Sequence, residues 1–172
     1  MVYRGGYQTM NDTRLKILTF IEKNSRVDLK ELAVVLGMEE PMVAKEIKDM
    51  ENEGIICGFH TIIDWDKLAA EKVTAMIEVR VTPQRGKGFD DIAERIYKYP
   101  EVTSVYLMSG SFDLMVMLEG KTLKEVSTFV TEKLATLETV INTQTNFVLK
   151  KYKDHGTVLT KKYEDNRMPI VP

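Results

Sequence analysis

Apolar residues in the first third of the chain recur at helical spacing in three short segments. The first, "NDTRLKILTFIEKNSR", opens with the start signal Asn11/Asp12. The second, "VDLKELAVVLGM", has a capping-box-like pair in Asp28 and Glu31 and ends at Gly37. The buried positions predicted for these two helices are Leu15, Leu18, Phe20, Ile21, Leu29, Leu32, Ala33 and Leu36.

The third segment, "GMEEPMVAKEIKDMENEG", has Pro41 near its first turn, where proline is tolerated, and Gly54 at its end. Val43, Ile47 and Met50 form its apolar stripe. Three short helices with a tight second turn predict a helix-turn-helix unit. The next stretch, "IICGFHTIID", is rich in β-branched and aromatic residues and predicts a strand or an extended connector.

Strand patterns and helix patterns alternate after "WDKLAAEK". The predicted strands are "VTAMIEVRVTP", "VTSVYLMSG", "FDLMVMLEG" and "VINTQTNFVLKKYK", and the predicted helices are "FDDIAERIYKY" and "TLKEVSTFVTEKLATLE". This order predicts a ferredoxin-like βαββαβ domain, with an antiparallel sheet and both helices on one face. The helix residues predicted to be buried are Phe89, Ile92, Ala93, Ile96, Leu123, Val126, Phe129, Val130, Leu134 and Leu137.

The fold class predicted from these elements is α+β, an N-terminal winged/helix-turn-helix three-helix domain followed by the ferredoxin-like domain. The predicted limits are 10–60 for the first domain, 61–71 for a connector, 72–153 for the second domain and 154–172 for a polar, irregular tail. Strands such as "LMVML" are apolar on both sides, so the sheet face opposite the helices needs a cover, which a second copy of the chain supplies most simply.

Composition places the chain among soluble globular proteins, since no apolar run approaches the length that spans a bilayer and the N-terminus lacks the apolar core of a signal peptide. A single cysteine excludes an intrachain disulfide and favours a reducing cytoplasm. The net charge is −2, and the first 60 residues hold 8 basic and 10 acidic residues. Non-specific affinity for nucleic acid should therefore be weak unless charge is arranged locally.

The local arrangement of charge matters most in the third segment, where six residues are acidic and only Lys45 and Lys48 are basic. At about 100° per residue, Pro41, Lys45, Lys48 and Asn52 lie opposite the apolar stripe, with Asp49 at the edge of that face. The flanks of the helix, where acids would meet Arg14, Lys16 or Lys30 of the neighbouring helices, hold Glu39, Glu40, Glu46, Glu51 and Glu53. The outward face is therefore mildly basic.

Enzymatic and metal chemistry find no support in the sequence. Cys57 and His60 are three residues apart, but two ligands do not make a zinc site, and Cys57 is interpreted as a buried strand cysteine. "TPQRGKGFD" lacks the spacing of a phosphate-binding loop and is interpreted as a surface loop. No cofactor, metal site or catalytic residue is predicted.

The segments "RLKILTFIEKNSRVDLKELAVVLGM", "ENEGIICGF", "YLMSGSFDLMVML" and "TQTNFVLKKYK" together resemble the Lrp/AsnC (leucine-responsive) family of transcription regulators, over roughly residues 10–153. The resemblance implies a cytoplasmic regulator whose second domain dimerises, often forms larger rings and binds small effectors such as amino acids. The first nine residues lie outside it, which makes Met10 a candidate native start. The chain departs from the family at Glu39, Glu46 and Asp49, which replace a usual Ser and usual basic residues.

The resemblance and the helix rotation together select the candidate site residues. DNA contacts are predicted for Arg26, Met42, Lys45, Lys48 and Asn52. In the family, a Gly-x-x-Asp hairpin lies beside the effector cleft and the last strand lines it. The effector residues that this implies are Met108, Ser109, Gly110, Ser111, Phe112, Asp113, Thr143 and Thr145. The alternatives are that Asp113 only caps the hairpin and that the two threonines are ordinary exposed strand residues.

The leading functional hypothesis is an effector-responsive, oligomeric regulator that binds double-stranded DNA and senses an amino acid or related metabolite. The alternative is a ligand-binding oligomeric regulatory protein without specific DNA binding, which the acidic third helix and the neutral overall charge motivate. An enzyme on a ferredoxin-like scaffold is the third possibility, and it lacks a catalytic constellation.

Overall fold

A computed structural model describes residues 12–68, 72–82 and 88–159 of the chain. They belong to two compact units, and the division falls between Thr61 and Ile62. The candidate start at Met10, most of the predicted loop "QRGKG" and the end of the predicted tail lie outside the described residues. The domain limits taken from the sequence stay a prediction.

The N-terminal unit, the described part of residues 1–61, contains helices α1 (Asp12–Lys23), α2 (Leu29–Leu36) and α3 (Glu40–Asn52). Asp28 caps α2, as predicted, by accepting the N–H of Lys30 at 2.8 Å. Gly37 ends α2 with a φ of 65°, the left-handed conformation that glycine adopts without strain. The tight turn between the second and third helices is thus confirmed.

The core of this unit lies between the three helices, but α1 presents a different face to it from the predicted one. Ile17 is fully buried, whereas Leu15 and Phe20, predicted as core, are exposed. The prediction for these two is wrong because α1 carries two apolar stripes and only packing against the other helices selects one. The buried residues of this core are Ile17, Ile21, Leu32, Ala33, Val43 and Met50.

Truncation of Ile17 to alanine is expected to destabilise the N-terminal unit by about 2–5 kcal/mol, the usual range for removing a large aliphatic side chain from a core. Leu15→Ala is the matched control on the same helix and should change stability by no more than about 0.5 kcal/mol. Urea unfolding followed by circular dichroism measures both. Equal losses for the two variants would contradict the placement of α1.

No regular element follows α3 in "IICGFHTIID", so the strand alternative is wrong and the connector alternative describes it. Cys57, interpreted from the sequence as a buried strand cysteine, is exposed, and its Sγ donates to the carbonyl oxygen of Gly54 at 3.2 Å. The β-branched residues here have no neighbouring strand among the described residues with which to form a ladder, so propensity alone does not make a strand.

The C-terminal unit, the described part of residues 62–172, is built on a four-stranded antiparallel sheet. Its strands are β1 (Val73–Val81), β2 (Val102–Leu107), β3 (Leu114–Gly120) and β4 (Val140–Phe147), in the spatial order β2-β3-β1-β4. This order and the helices after β1 and β3 confirm the ferredoxin-like prediction. β4 ends six residues before the predicted strand does, and a short 3₁₀-helix (Trp65–Leu68) precedes the sheet.

Two helical segments cover one face of the sheet. α4 (Asp90–Tyr97) is regular, whereas α5 (Leu123–Phe129) passes into a π-helical turn (Val130–Leu134). In this segment the Thr131 hydroxyl donates to the carbonyl oxygens of Ser127 and Thr128, at 3.1 and 3.2 Å, in competition with the backbone ladder. Leu123, predicted to be buried, is exposed because it lies in the first turn of α5, beyond the sheet core.

The core of the C-terminal unit lies between the sheet and these helices. Alternate residues of β1 and β3 point into it, as period-2 strands require. The buried residues are Ala75, Ile77, Val79, Val81, Ile92, Ile96, Leu114, Val116, Leu118, Val126, Phe129, Val130 and Leu134.

The opposite face of the sheet carries a group of apolar side chains that we call the methionine face: Met76, Tyr106, Met115 and Met117. Met117 pairs with Met76 on β1, and Met115 pairs with Tyr106 on β2. The three methionines are half-buried and Tyr106 is 52% exposed. The helices α4 and α5 pack against the other face of the sheet. The methionine face is therefore the apolar surface that the sequence predicted to need a cover.

The first residues of the predicted irregular tail form a small hairpin. Strands β5 (Lys153–Asp154) and β6 (Thr157–Val158) pair across a turn in which His155 and Gly156 have φ values of 41° and 82°. The prediction of an irregular segment is wrong here because "DHGT" is a two-residue turn with positive φ at both central positions. In the described parts of the chain, no helix has the length and apolar character needed to cross a membrane.

Candidate functional site

Arg14 on α1 holds two of the acidic residues of α3. Its Nε donates to Glu46 at 2.7 Å, and its Nη1 donates to Glu53 at 2.8 Å. The hydrogen bonds that the Arg14 guanidinium donates to the carboxylates of Glu53 and Glu46 keep its pKa above the ordinary value. The predicted pairing with Arg14 is confirmed, whereas Lys16 pairs with Asp12 of its own helix. Two of the six acids in residues 37–54 are thus turned toward α1.

The outward face of α3 carries the two basic residues, each paired with an acid on the same helix. Lys45 Nζ lies 3.2 Å from Asp49 Oδ2, and Lys48 Nζ lies 2.8 Å from Glu51 Oε2. The lysine side chains are 75% and 68% exposed. Both ammonium groups therefore reach solvent, and a phosphate that binds either of them comes close to a carboxylate.

The other predicted DNA-contacting residues occupy separate exposed positions of the N-terminal unit. Met42 lies in the first turn of α3 and Asn52 is its last residue. Arg26 lies in the loop before α2, where its backbone N–H donates to Asn24 Oδ1 at 3.1 Å. All three are exposed, which a contact with DNA requires.

The predicted effector hairpin joins β2 to β3 and is anchored by Asp113. The N–H of Met108 donates to the carbonyl oxygen of Asp113 at 2.8 Å. The N–H of Asp113 donates to the carbonyl oxygen of Val79 at 3.1 Å. Asp113 Oδ2 accepts the N–H of Val81 at 2.9 Å. One carboxylate oxygen of Asp113 therefore fixes the hairpin against the end of β1. In the same loop Ser109, Gly110 and Ser111 are exposed and Phe112 is half-buried.

Arg80, which sequence reasoning missed, lies beside this hairpin. Its Nε donates to the carbonyl oxygen of Ser111 at 2.7 Å, and its side chain is exposed at the end of β1. A guanidinium next to the loop suits the carboxylate of an amino acid. No local motif marks Arg80, because its position beside Ser111 depends on the pairing between strands.

Thr143 and Thr145 lie on β4, on the other side of β1 from the hairpin. They pair with Val79 and Ile77, so their side chains share the helix-covered face of the sheet. Asp113 and Thr143 both flank the last residues of β1, two strand spacings or about 10 Å apart. The structure therefore brings the hairpin and Thr143 to one end of the sheet, with Thr145 farther along the same strand.

A groove of about 970 Å³ lies at the opposite end of the sheet. Its apolar lining includes Leu118, Val126 and Phe129, and two other lining residues, Glu101 and Lys133, form a 2.6 Å ion pair. The hydrogen bond from Lys133 lowers the pKa of the Glu101 carboxyl below its ordinary value. No sequence motif marks this groove, since its lining comes from four separate segments.

Metal ligands do not gather anywhere in the described parts of the chain, where no group of three or more His, Cys, Asp or Glu side chains is arranged to hold an ion.

Two family descriptions match this chain. Residues 10–56 match the winged helix-turn-helix DNA-binding family, and residues 74–158 match the Lrp/AsnC ligand binding domain. A Bacillus subtilis relative, the uncharacterized HTH-type transcriptional regulator YugG, is 44% identical over 95% of this chain and 99% of its own length. The HTH-type transcriptional regulator FL11 of Pyrococcus furiosus is 28% identical over 84% of this chain and 93% of its own.

Solved structures share the same architecture. The Neisseria meningitidis transcriptional regulator NMB0573, solved in complex with L-Met, superposes with a TM-score of 0.68 at 24% identity, over 87% of this chain and 96% of its own. The structure of PH0061 superposes with a TM-score of 0.72 at 22% identity, over 86% and 97% of the two chains. At these identities the likeness establishes the fold.

Proposed function

The chain belongs to the Lrp/AsnC family of transcriptional regulators, with a helix-turn-helix DNA-binding domain and a ligand-binding domain, and from that premise we propose which residues carry its two activities. DNA is bound through α3 and the loop before α2, by Lys45, Lys48, Asn52, Met42 and Arg26. An amino acid or related metabolite is bound at the end of the sheet that holds the Gly110–Asp113 hairpin.

One observation carries the DNA proposal: both lysines of α3 face solvent, whereas two of the nearby acids face α1. Glu46 and Glu53 are turned toward Arg14, while Lys45 and Lys48 extend into solvent. Lysines at exposed positions of a recognition helix bind phosphates and position the helix in the groove. The acidic composition of α3 is therefore compatible with DNA binding, which favours a regulator over a ligand-binding protein without DNA binding.

Titration of the protein against its own upstream DNA at a series of salt concentrations tests this function. Binding that weakens steeply with salt supports it, because phosphate contacts release counterions. If neither the upstream fragment nor any other genomic fragment is bound, with and without amino acids, the alternative of a ligand-binding protein without specific DNA binding takes its place.

The effector proposal is supported by complementary groups around the hairpin. Asp113 suits the ammonium group of an amino acid and Arg80 suits its carboxylate, while Thr143 adds a hydroxyl group at the same end of the sheet and Thr145 lies farther along β4. Met108, Ser109, Ser111 and Phe112 complete the proposed wall. A regulator solved with L-Met shares this fold, which makes L-methionine one of the amino acids to try first.

Asp113→Asn is expected to weaken amino-acid binding by about 10- to 100-fold, the effect of losing one hydrogen bond to a charged group. The asparagine oxygen still accepts the Val81 N–H, so the hairpin stays in place. Calorimetric titration with the twenty amino acids measures the loss. Glu94→Gln is the control, since it neutralises a carboxylate paired with Lys98 on α4. Unchanged binding in Asp113→Asn would direct the search to the groove at the other end of the sheet.

Assembly is the third part of the proposal. A second copy covers the methionine face to form a homodimer. Several homodimers then form the larger rings that the family resemblance implies. Each dimer presents two copies of α3, so that weak contacts by each add through avidity. Two statements remain predictions: that the protein has no catalytic activity, and that it acts in the cytoplasm.

A further inference from the structure

The two lysines of α3 are held by acids in an arrangement that does little for the helix itself. Asp49 lies four residues after Lys45, and Glu51 lies three residues after Lys48. A lysine that precedes its acid is the less stabilising order of such a pair. Both acids also lie in the last turn of α3, where the helix dipole favours bases and where no base is present.

The acids that face α1 have a different partner. Glu46 and Glu53 are held by Arg14, which comes from α1 and ties two helices together. Asp49 and Glu51 contact only α3 lysines in the ion pairs that the structure describes. Their effect therefore falls on the side chains that face solvent, rather than on the packing of the unit.

We propose that Asp49 and Glu51 act as built-in competitors for DNA phosphates and thereby keep sequence-independent DNA binding weak. This inference rests on the proposed DNA-binding role of Lys45 and Lys48. Each ammonium group already donates to a carboxylate, at 3.2 or 2.8 Å, so a phosphate that binds either lysine must displace that carboxylate or share the ammonium group with it. In both cases the carboxylate stays near the polyanion and repels it.

The competition acts on every DNA sequence, because phosphate contacts supply nearly all of non-specific binding. Contacts with base edges are not opposed in this way. A site must therefore offer base contacts, or two correctly spaced half-sites for a dimer, before the protein stays bound. Asp49 and Glu51 thus determine how much specific contact a site must supply before the protein stays bound. They act as specificity-determining residues that need not touch DNA.

The test compares wild-type protein with Asp49→Asn/Glu51→Gln on a random-sequence duplex, by fluorescence anisotropy at a series of salt concentrations. The double variant is expected to bind about tenfold more tightly, from the lost ion pairs and the lost repulsion together. Its salt dependence should be steeper, by up to about 0.9 in logarithmic slope for each lysine that is freed.

Two further variants separate local competition from net charge. Asp64→Asn/Glu94→Gln also removes two acids that pair with lysines three or four residues away, but in the C-terminal unit. It should bind as the wild type does. Adding Lys45→Ala and Lys48→Ala to the Asp49→Asn/Glu51→Gln protein should remove its gain in affinity, because the gain acts through those lysines.

Equal affinity of the wild type and Asp49→Asn/Glu51→Gln would overturn the inference while leaving DNA binding intact. The inference would also be overturned if Asp64→Asn/Glu94→Gln showed the same gain in affinity. It would be overturned as well if the gain persisted after Lys45→Ala and Lys48→Ala were added. If neither protein binds any duplex at low salt, both the inference and the proposed DNA-binding role fail. A gain by the variant alone supports the inference, even where binding by the wild type is too weak to measure.

Discussion

Alanine at both Lys45 and Lys48 is expected to lower affinity for the operator by about 100- to 1,000-fold at near-physiological salt, since a dimer loses four phosphate contacts. The lysine side chains extend from α3 into solvent, so their truncation removes charge without disturbing the core. The logarithmic salt dependence should fall by about 3 to 4 in slope for the same reason. Fluorescence anisotropy with labelled upstream DNA measures both quantities.

Lys67→Ala/Lys98→Ala is the matched control. These lysines are 64% and 65% exposed and pair with Asp64 and Glu94. The variant therefore removes the same charge and the same number of ion pairs as Lys45→Ala/Lys48→Ala, but in the C-terminal unit. It should keep wild-type affinity. Surface pairs of this kind contribute little stability, and circular dichroism should show folded protein in both variants. A salt slope that stays at the wild-type value in Lys45→Ala/Lys48→Ala would remove α3 from the DNA interface.

Glutamate at both Met115 and Met117 is expected to convert the proposed homodimer to monomers, with an association constant lower by at least about 100-fold. The two methionines lie at the centre of the methionine face, beside Met76 and Tyr106. A second copy on this face would bury the new carboxylates without partners, which costs several kcal/mol for each. Sedimentation velocity over a range of protein concentrations measures the shift.

Leu123→Glu supplies the comparison, because it places a carboxylate on an exposed apolar residue of the helix-covered side. Its dimer should sediment as the wild type does. Met115 and Met117 are half-buried in the single chain, so a loss of folded structure has to be excluded by thermal unfolding. Dimers that persist with both glutamates present would place the interface elsewhere.

The elements of this fold follow from the sequence where a local signal specifies them. Asp28 and Gly37 mark the ends of α2 through their own side chain and backbone freedom, and both predictions are confirmed. The choice of Ile17 over Leu15 depends on helices that are distant in sequence, so periodicity alone does not decide it. The π-helical turn after α5 escapes prediction for a similar reason, because it depends on which carbonyl groups Thr131 binds.

The candidate sites divide in the same way. The outward direction of Lys45 and Lys48 follows from 100° per residue, and the structure agrees. Their pairing with Asp49 and Glu51 is a choice of rotamers that a helical wheel does not specify. Arg80 and the bond from the Val81 N–H to Asp113 depend on strand register, which no sequence motif in this segment states.

The exposed thiol of Cys57 provides a site in the natural sequence where a spectroscopic label can be attached. It is the one cysteine of the chain and lies just after the last helix of the N-terminal unit. A maleimide dye or a nitroxide attached there labels a single position without any substitution. In a homodimer the two nitroxides form a symmetric pair whose separation electron resonance can measure. Changes in that distance on adding DNA or an amino acid would report directly how each one alters the connector.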